Sequence, residues 1–183
     1  MKTLQFVAIS LLMLPLLGLA QQGPPADPLS SDARGAWENV RNLVSRAAEK
    51  MPEENYAFKP VPEVRSFGQI IGHIADAQYS ICAGAKGVAR PDVQVEKTKT
   101  TKADLAAALK DSDAFCDGAF ADLTDGKAVE LVKVFGRERT RLAVLNMNTG
   151  HDMEHYGNIV TYMRIKGLVP PSSEPRPAPP KAK

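Results

Sequence analysis

Four separate stretches of this chain carry apolar residues at three- and four-residue intervals, and that pattern constrains the fold more than any other feature. The first stripe is Ala33, Trp37, Val40, Val44, Ala47 and Met51, with Ser31 or Asp32 as its cap and Pro52 as its stop. A second stripe, Ile70, His73, Ile74, Ala77 and Ile81, follows Ser66, and Gln69 three residues after that serine completes a capping-box pattern. Thr101 precedes the third: Leu105, Ala108, Leu109, Ser112, Phe115, Cys116, Ala119, Phe120 and Leu123. The fourth and longest runs from about Thr140 to Lys166 and aligns Leu145, Asn148, His151, His155, Ile159 and Tyr162, with Gly167 and Pro170 as stop signals. Four helices, each with one apolar face, bury one another most economically as a four-helix bundle. Ala128 to Phe135 is richer in β-branched residues and predicts a short hairpin between the last two helices.

The two ends of the chain lie outside this pattern. Lys2, the apolar run Phe6 to Leu19 and the small residues Gly18 and Ala20 read as a secretory signal cleaved after Ala20. The run is shorter than the roughly 20 residues that span a bilayer, so no stable membrane anchor is expected after cleavage. Residues 21–30 form a Pro-rich lead-in, residues 31–169 the bundle domain, and residues 170–183 a Pro-rich tail expected to be disordered. The mature protein is expected in the periplasm or secreted. A net charge of +2 provides no field for nucleic acid. The composition also excludes collagenous, disulfide-dense and polytopic membrane proteins. A second copy of the chain, forming a homodimer, is a protein partner compatible with this sequence.

The connection from Gly84 to Thr100 is far longer than an antiparallel helix pair requires. Such a loop can return along a helix and leave the second and third helices parallel. In an antiparallel pair, Cys116 would lie about 20 Å along the next helix from Cys82; in a parallel pair the two stand at similar height. An oxidising compartment then favours a disulfide between them over two buried thiols.

The chain has three histidines, and all fall on inward stripes. His151 and His155 are four apart, a spacing that raises two imidazoles from one helix face. His73 stands on the second stripe, where a bundle brings facing helices together. Three neutral nitrogen ligands leave coordination positions open, the pattern of a catalytic rather than a closed structural site. Zn²⁺, Ni²⁺ and Fe²⁺ all accept imidazole, so the expected cofactor is one divalent ion whose identity the residues do not select. Asp76, one turn after His73, and Glu154, one turn after His151, are the carboxylates expected to orient ligands or accept a proton. His151 to His155 also fits the H-x-x-E-H string of inverted zinc peptidases. That mechanism needs a further carboxylate ligand, and the one acid after His155 is Glu174, in the tail.

The run from Ala47 to Pro60 (AAEKMPEENYAFKP), Ser66 to His73 (SFGQIIGH), His151-x-x-x-His155-Tyr156-Gly157 and Tyr162-x-Arg164-x-Lys166-Gly167-x-x-Pro170-Pro171 together resemble the DinB/YfiT-like superfamily of metalloenzymes. The resemblance spans roughly residues 33 to 171. It implies an up-down-down-up four-helix bundle and a divalent metal on His73, His151 and His155. Characterised relatives include thiol-dependent S-transferases and a thiol-dependent maleylpyruvate isomerase. Two functions follow as expectations. One is an exported metal-dependent enzyme, of hydrolase or thiol-transferase type, in which activated water or thiol attacks a small electrophile. The other is a non-catalytic metal- or ligand-binding helical module of the cell envelope.

Overall fold

The computed structural model describes residues 26–175. The signal-peptide reading falls on residues 1–20 and lies outside them. Four long helices, α1 (Pro28–Lys50), α2 (Phe67–Lys86), α4 (Lys102–Ala121) and α6 (Arg141–Ile165), form the bundle. Two single-turn helices, α3 (Val95–Thr98) and α5 (Asp125–Ala128), and a hairpin of β1 (Leu131–Val134) and β2 (Arg137–Thr140) connect them. No described helix is long and apolar enough to cross a membrane.

Caps set the helix starts. Ser66 Oγ accepts from the Gln69 amide while the Gln69 side chain accepts from the Ser66 amide, a complete capping box. Thr101 and Thr140 cap α4 and α6 through their side chains. The first helix begins earlier than its stripe predicts, at Pro28 with Asp27 as its N-cap, rather than after a cap at Ser31 or Asp32. The reason is remote in sequence: the Asp125 carboxylate accepts from the amides of Leu29 and Ser30 and from Ser30 Oγ, satisfying donors that a helix N-terminus otherwise leaves unpaired. Proline at the first helical position needs no such partner.

The helices run up-down-down-up. Gly68 lies against Leu105 and Cys82 is bonded to Cys116, so positions rise together along α2 and α4 and the two are parallel. Arg34 reaches the Leu123 carbonyl and Trp37 donates to Asp117, so α1 opposes α4. Tyr162 donates to the Arg65 carbonyl, and His155 packs against His73, so α6 opposes α2. Trp37 stacks on Phe120 with ring centroids 5.2 Å apart, at the centre of the α1–α4 side of the core.

The hairpin extends beyond the predicted stretch, to Thr140, and turns at Phe135 and Gly136, both with positive φ. Lys133, Arg137 and Arg139 therefore sit on strands. The expectation of a disordered tail from Pro170 is corrected for its first residues. Pro170 and Pro171 are buried, the Ser172 amide donates to the Tyr156 hydroxyl (2.9 Å), and Glu174 pairs with Lys50 (2.6 Å) and Arg46. A buried tyrosine and two cations of α1 hold this segment where composition alone predicts none.

Candidate metal centre

Capping and length place His73 two turns into α2, and the opposed α6 brings His151 and His155 to the same height. The Nε2 atoms of His73 and His151 are 3.2 Å apart, and those of His151 and His155 are 3.1 Å apart. All three ligand atoms lie within 4.8 Å of one another. His155 is 9% exposed, while the side chains of His73 and His151 keep 26% and 22% of their surface.

The far side of each ring is tied. His73 Nδ1 lies 3.3 Å from Glu96 Oε2, His151 Nδ1 lies 3.4 Å from Asp152 Oδ1, and Asn158 stands 3.4 Å from His155 Nδ1. A carboxylate can only accept, so Glu96 and Asp152 hold the proton of their ring on Nδ1 and leave a lone pair on Nε2. Two lone pairs then face each other at 3.2 Å with no proton between them. A cation held by all three nitrogens would relieve that repulsion, and carboxylate-oriented imidazoles are the usual partners of a metal. The donor set fits a divalent ion with open positions.

Burial favours the neutral, ligating form of two of the rings, His155 and His73. Burial pushes His155 down to about 4, helped by the charges of His151, His73 and Arg65. Burial also lowers His73, followed by Arg65 and His151, against the opposing pull of Glu96.

Sequence reading places the histidines together, and the structure does the same. It does not place Asp76 and Glu154 beside them. Asp76 instead caps α3, accepting from the amides of Val95 (2.8 Å) and Glu96 (3.0 Å). It acts on His73 only by fixing the turn that carries Glu96. Glu154 is exposed, because it sits one residue, or about 100°, off the inward stripe. Asp152 belongs to that stripe, four residues after Asn148 and three before His155, and is 0% exposed. The stripe register carried the signal for Asp152. Nothing local marked Glu96, which arrives from the long α2–α4 connection.

A cavity of about 610 Å³ adjoins the centre and is lined in part by His155, Arg65, Glu96, Gln69, Asn158 and Tyr162. Arg65 is held by Glu96 (2.9 Å) on its side chain and by the Tyr162 hydroxyl on its carbonyl.

The profile described as the DinB superfamily matches residues 36–159. The uncharacterized protein YjoA of Bacillus subtilis (strain 168) is 28% identical over 131 residues, covering 69% of this chain and 84% of that protein. A DinB-like protein from Bacillus cereus has the same fold, with a TM-score of 0.68 at 19% identity over 77% of this chain and 95% of its own. A variant of the mycothiol-dependent maleylpyruvate isomerase shares the fold at a TM-score of 0.58 and 12% identity, over 71% of this chain and 60% of its own.

Proposed function

We infer that this chain, which belongs to the DinB superfamily, is an exported divalent-metal-dependent enzyme whose ligands are His73, His151 and His155 and whose substrate is a small electrophile. A divalent ion there supplies Lewis acidity, lowering the pKa of a water or thiol that reaches it. One structural neighbour is named as mycothiol-dependent, which puts a thiol beside water among the nucleophiles to test.

The chain's own residues have definable parts. Glu96 and Asp152 keep the Nδ1 protons of His73 and His151 in place, so both rings present Nε2 without rearrangement. Arg65, braced by Glu96 and Tyr162, sets the wall of the cavity through which a small molecule reaches the histidines. Burial of His155 keeps its ring neutral well below the ordinary imidazole range. Export is supported by the signal-like first 20 residues and by the Cys82–Cys116 disulfide, which suits an oxidising compartment.

The observation that carries this reading is the pair of carboxylate-held imidazoles facing each other across 3.2 Å. Elemental analysis of purified protein tests it. About one divalent ion per chain is expected, lost on chelation, and His151→Ala should retain none, since a three-histidine site cannot spare a ligand. A parent protein that never takes up an ion ends the reading. Turnover of an activated ester, with and without added thiol, separates the enzyme from a module that binds metal only for stability. The module would lose much thermal stability on chelation and turn over nothing.

A further inference from the structure

We propose that Gln78 is a positioning residue for the metal centre, a single buried amide that fixes Asp152, and through it the direction and tautomer of His151, against Asp113 as a remote anchor. This rests on the reading of the three histidines as a metal site.

Gln78 is 0% exposed and stands on α2, about a turn and a half beyond His73. Its Nε2 donates to Asp152 Oδ2 on α6 (2.8 Å) and to Asp113 Oδ1 on α4 (3.0 Å). Its Oε1 accepts from Ser112 Oγ (2.5 Å). Both amide hydrogens and the carbonyl oxygen are therefore used. This orientation of the amide is the one that makes all three bonds: a flipped amide would turn its oxygen toward the Asp152 and Asp113 oxygens and its NH₂ toward the Ser112 hydroxyl. Asp113 is 7% exposed and also accepts from Ser45 Oγ on α1 (2.9 Å).

The polar chain thus crosses all four long helices, from Ser45 through Asp113, Gln78 and Asp152 to His151. A buried amide among apolar neighbours costs stability unless every partner is met, and here every partner is met. Its geometry does something a leucine of similar size would not. With one oxygen held by Gln78, the Asp152 carboxylate can present the other only to His151 Nδ1. That contact keeps the His151 proton on the outer nitrogen and turns Nε2 toward His73. Without Gln78, Asp152 can rotate and the ring loses its fixed tautomer.

Three variants test this on the full mature chain: Gln78→Met, close in volume but without an amide, Asp113→Leu, and Asp113→Asn. Zn²⁺ affinity is measured by competition with a chromophoric chelator, and the His151 ring-nitrogen shifts are read by NMR in metal-free protein. Gln78→Met should weaken Zn²⁺ binding about 10–100-fold, the usual cost of removing support behind a ligand. Metal-free His151 should change from one Nδ1–H tautomer to a mixture. Asp113→Leu should act in the same direction by less. Asp113→Asn, which keeps an oxygen for Gln78 to donate to, should restore the parent affinity and tautomer.

A folded Gln78→Met protein with Zn²⁺ affinity within about twofold of the parent and an unchanged tautomer overturns the proposal. If that variant does not fold, equal affinities and tautomers in Asp113→Leu and Asp113→Asn overturn it as well. A parent that binds no Zn²⁺ defeats the functional reading instead, and the tautomer measurement still decides the role of Gln78.

Discussion

Helix α2 is held in two different ways on its two sides. Toward α3 and α4 the contact is close: a Cβ on Gly72 would stand 2.7 Å from the Glu96 Cα and 3.3 Å from Leu105, Cys82 is bonded to Cys116 with Cα atoms 5.4 Å apart, and the polar bonds there are those of Gln78 to Ser112 and Asp113. Toward α6 the contact is polar, made by His73, Gln78, Asp152, His151 and His155. The first side tolerates no space and the second needs some. Histidines that keep surface for a ligand cannot also carry the packing that aligns their helices, so alignment is delegated to the opposite face.

If that division is correct, removing the disulfide should be felt in stability far more than at the metal. The bond closes a segment of 34 residues, worth about 4 kcal/mol in chain entropy. Replacing both cysteines by alanine should lower the melting temperature by about 10 °C in calorimetry. Zn²⁺ affinity should change little, and a parallel loss of affinity would break the comparison.

Gly72→Ala is expected to cost about 1–3 kcal/mol, because the added carbon meets the backbone of α3 rather than a flexible side-chain end. It also tests where the two sides join. The same α3 backbone carries Glu96, so this variant, unlike the cysteine pair, should weaken Zn²⁺ binding measurably.

The smallest effect lies in pH. Burial raises the Asp113 carboxyl to about 7, opposed by hydrogen bonds from Ser45 and Gln78. Between about 4 and 7 the folded chain therefore holds a proton there that the unfolded chain has released, and stability falls as pH rises. His155, pushed down to about 4, works in the opposite sense: stability is lost as pH falls from about 6.5 toward 4. In the metal-free parent the two slopes oppose each other. Asp113→Asn should expose the histidine slope, up to about 1.4 kcal/mol per pH unit, in urea unfolding at several pH values. A variant with the same slope as the parent would contradict it.

The long helices and the histidine cluster were readable from local periodicity, and the Ser66 and Thr101 caps from local sequence. The parallel α2–α4 pair was readable from loop length, since a chain that must return needs residues to do so. The supporting polar groups were not. Asp152, Glu96, Gln78 and Asp113 are residue types that default to solvent, and their inward roles depend on partners 20 to 74 positions away or on an irregular turn. The early start of α1 failed for the same reason, since its capping carboxylate, Asp125, is 95 residues distant from Ser30. Asp152 alone had a local clue, its place on the stripe between Asn148 and His155.

The connection between α2 and α4 has a double duty with a practical result. Parallel helices oblige the chain to travel back, and its return path lays Glu96 on His73 while Asp76 clips that turn down. Inserting residues within 88–92 would merely lengthen a detour. The same insertion inside 95–98 would slide a carboxylate off its imidazole, so topology and chemistry are edited together at that one turn.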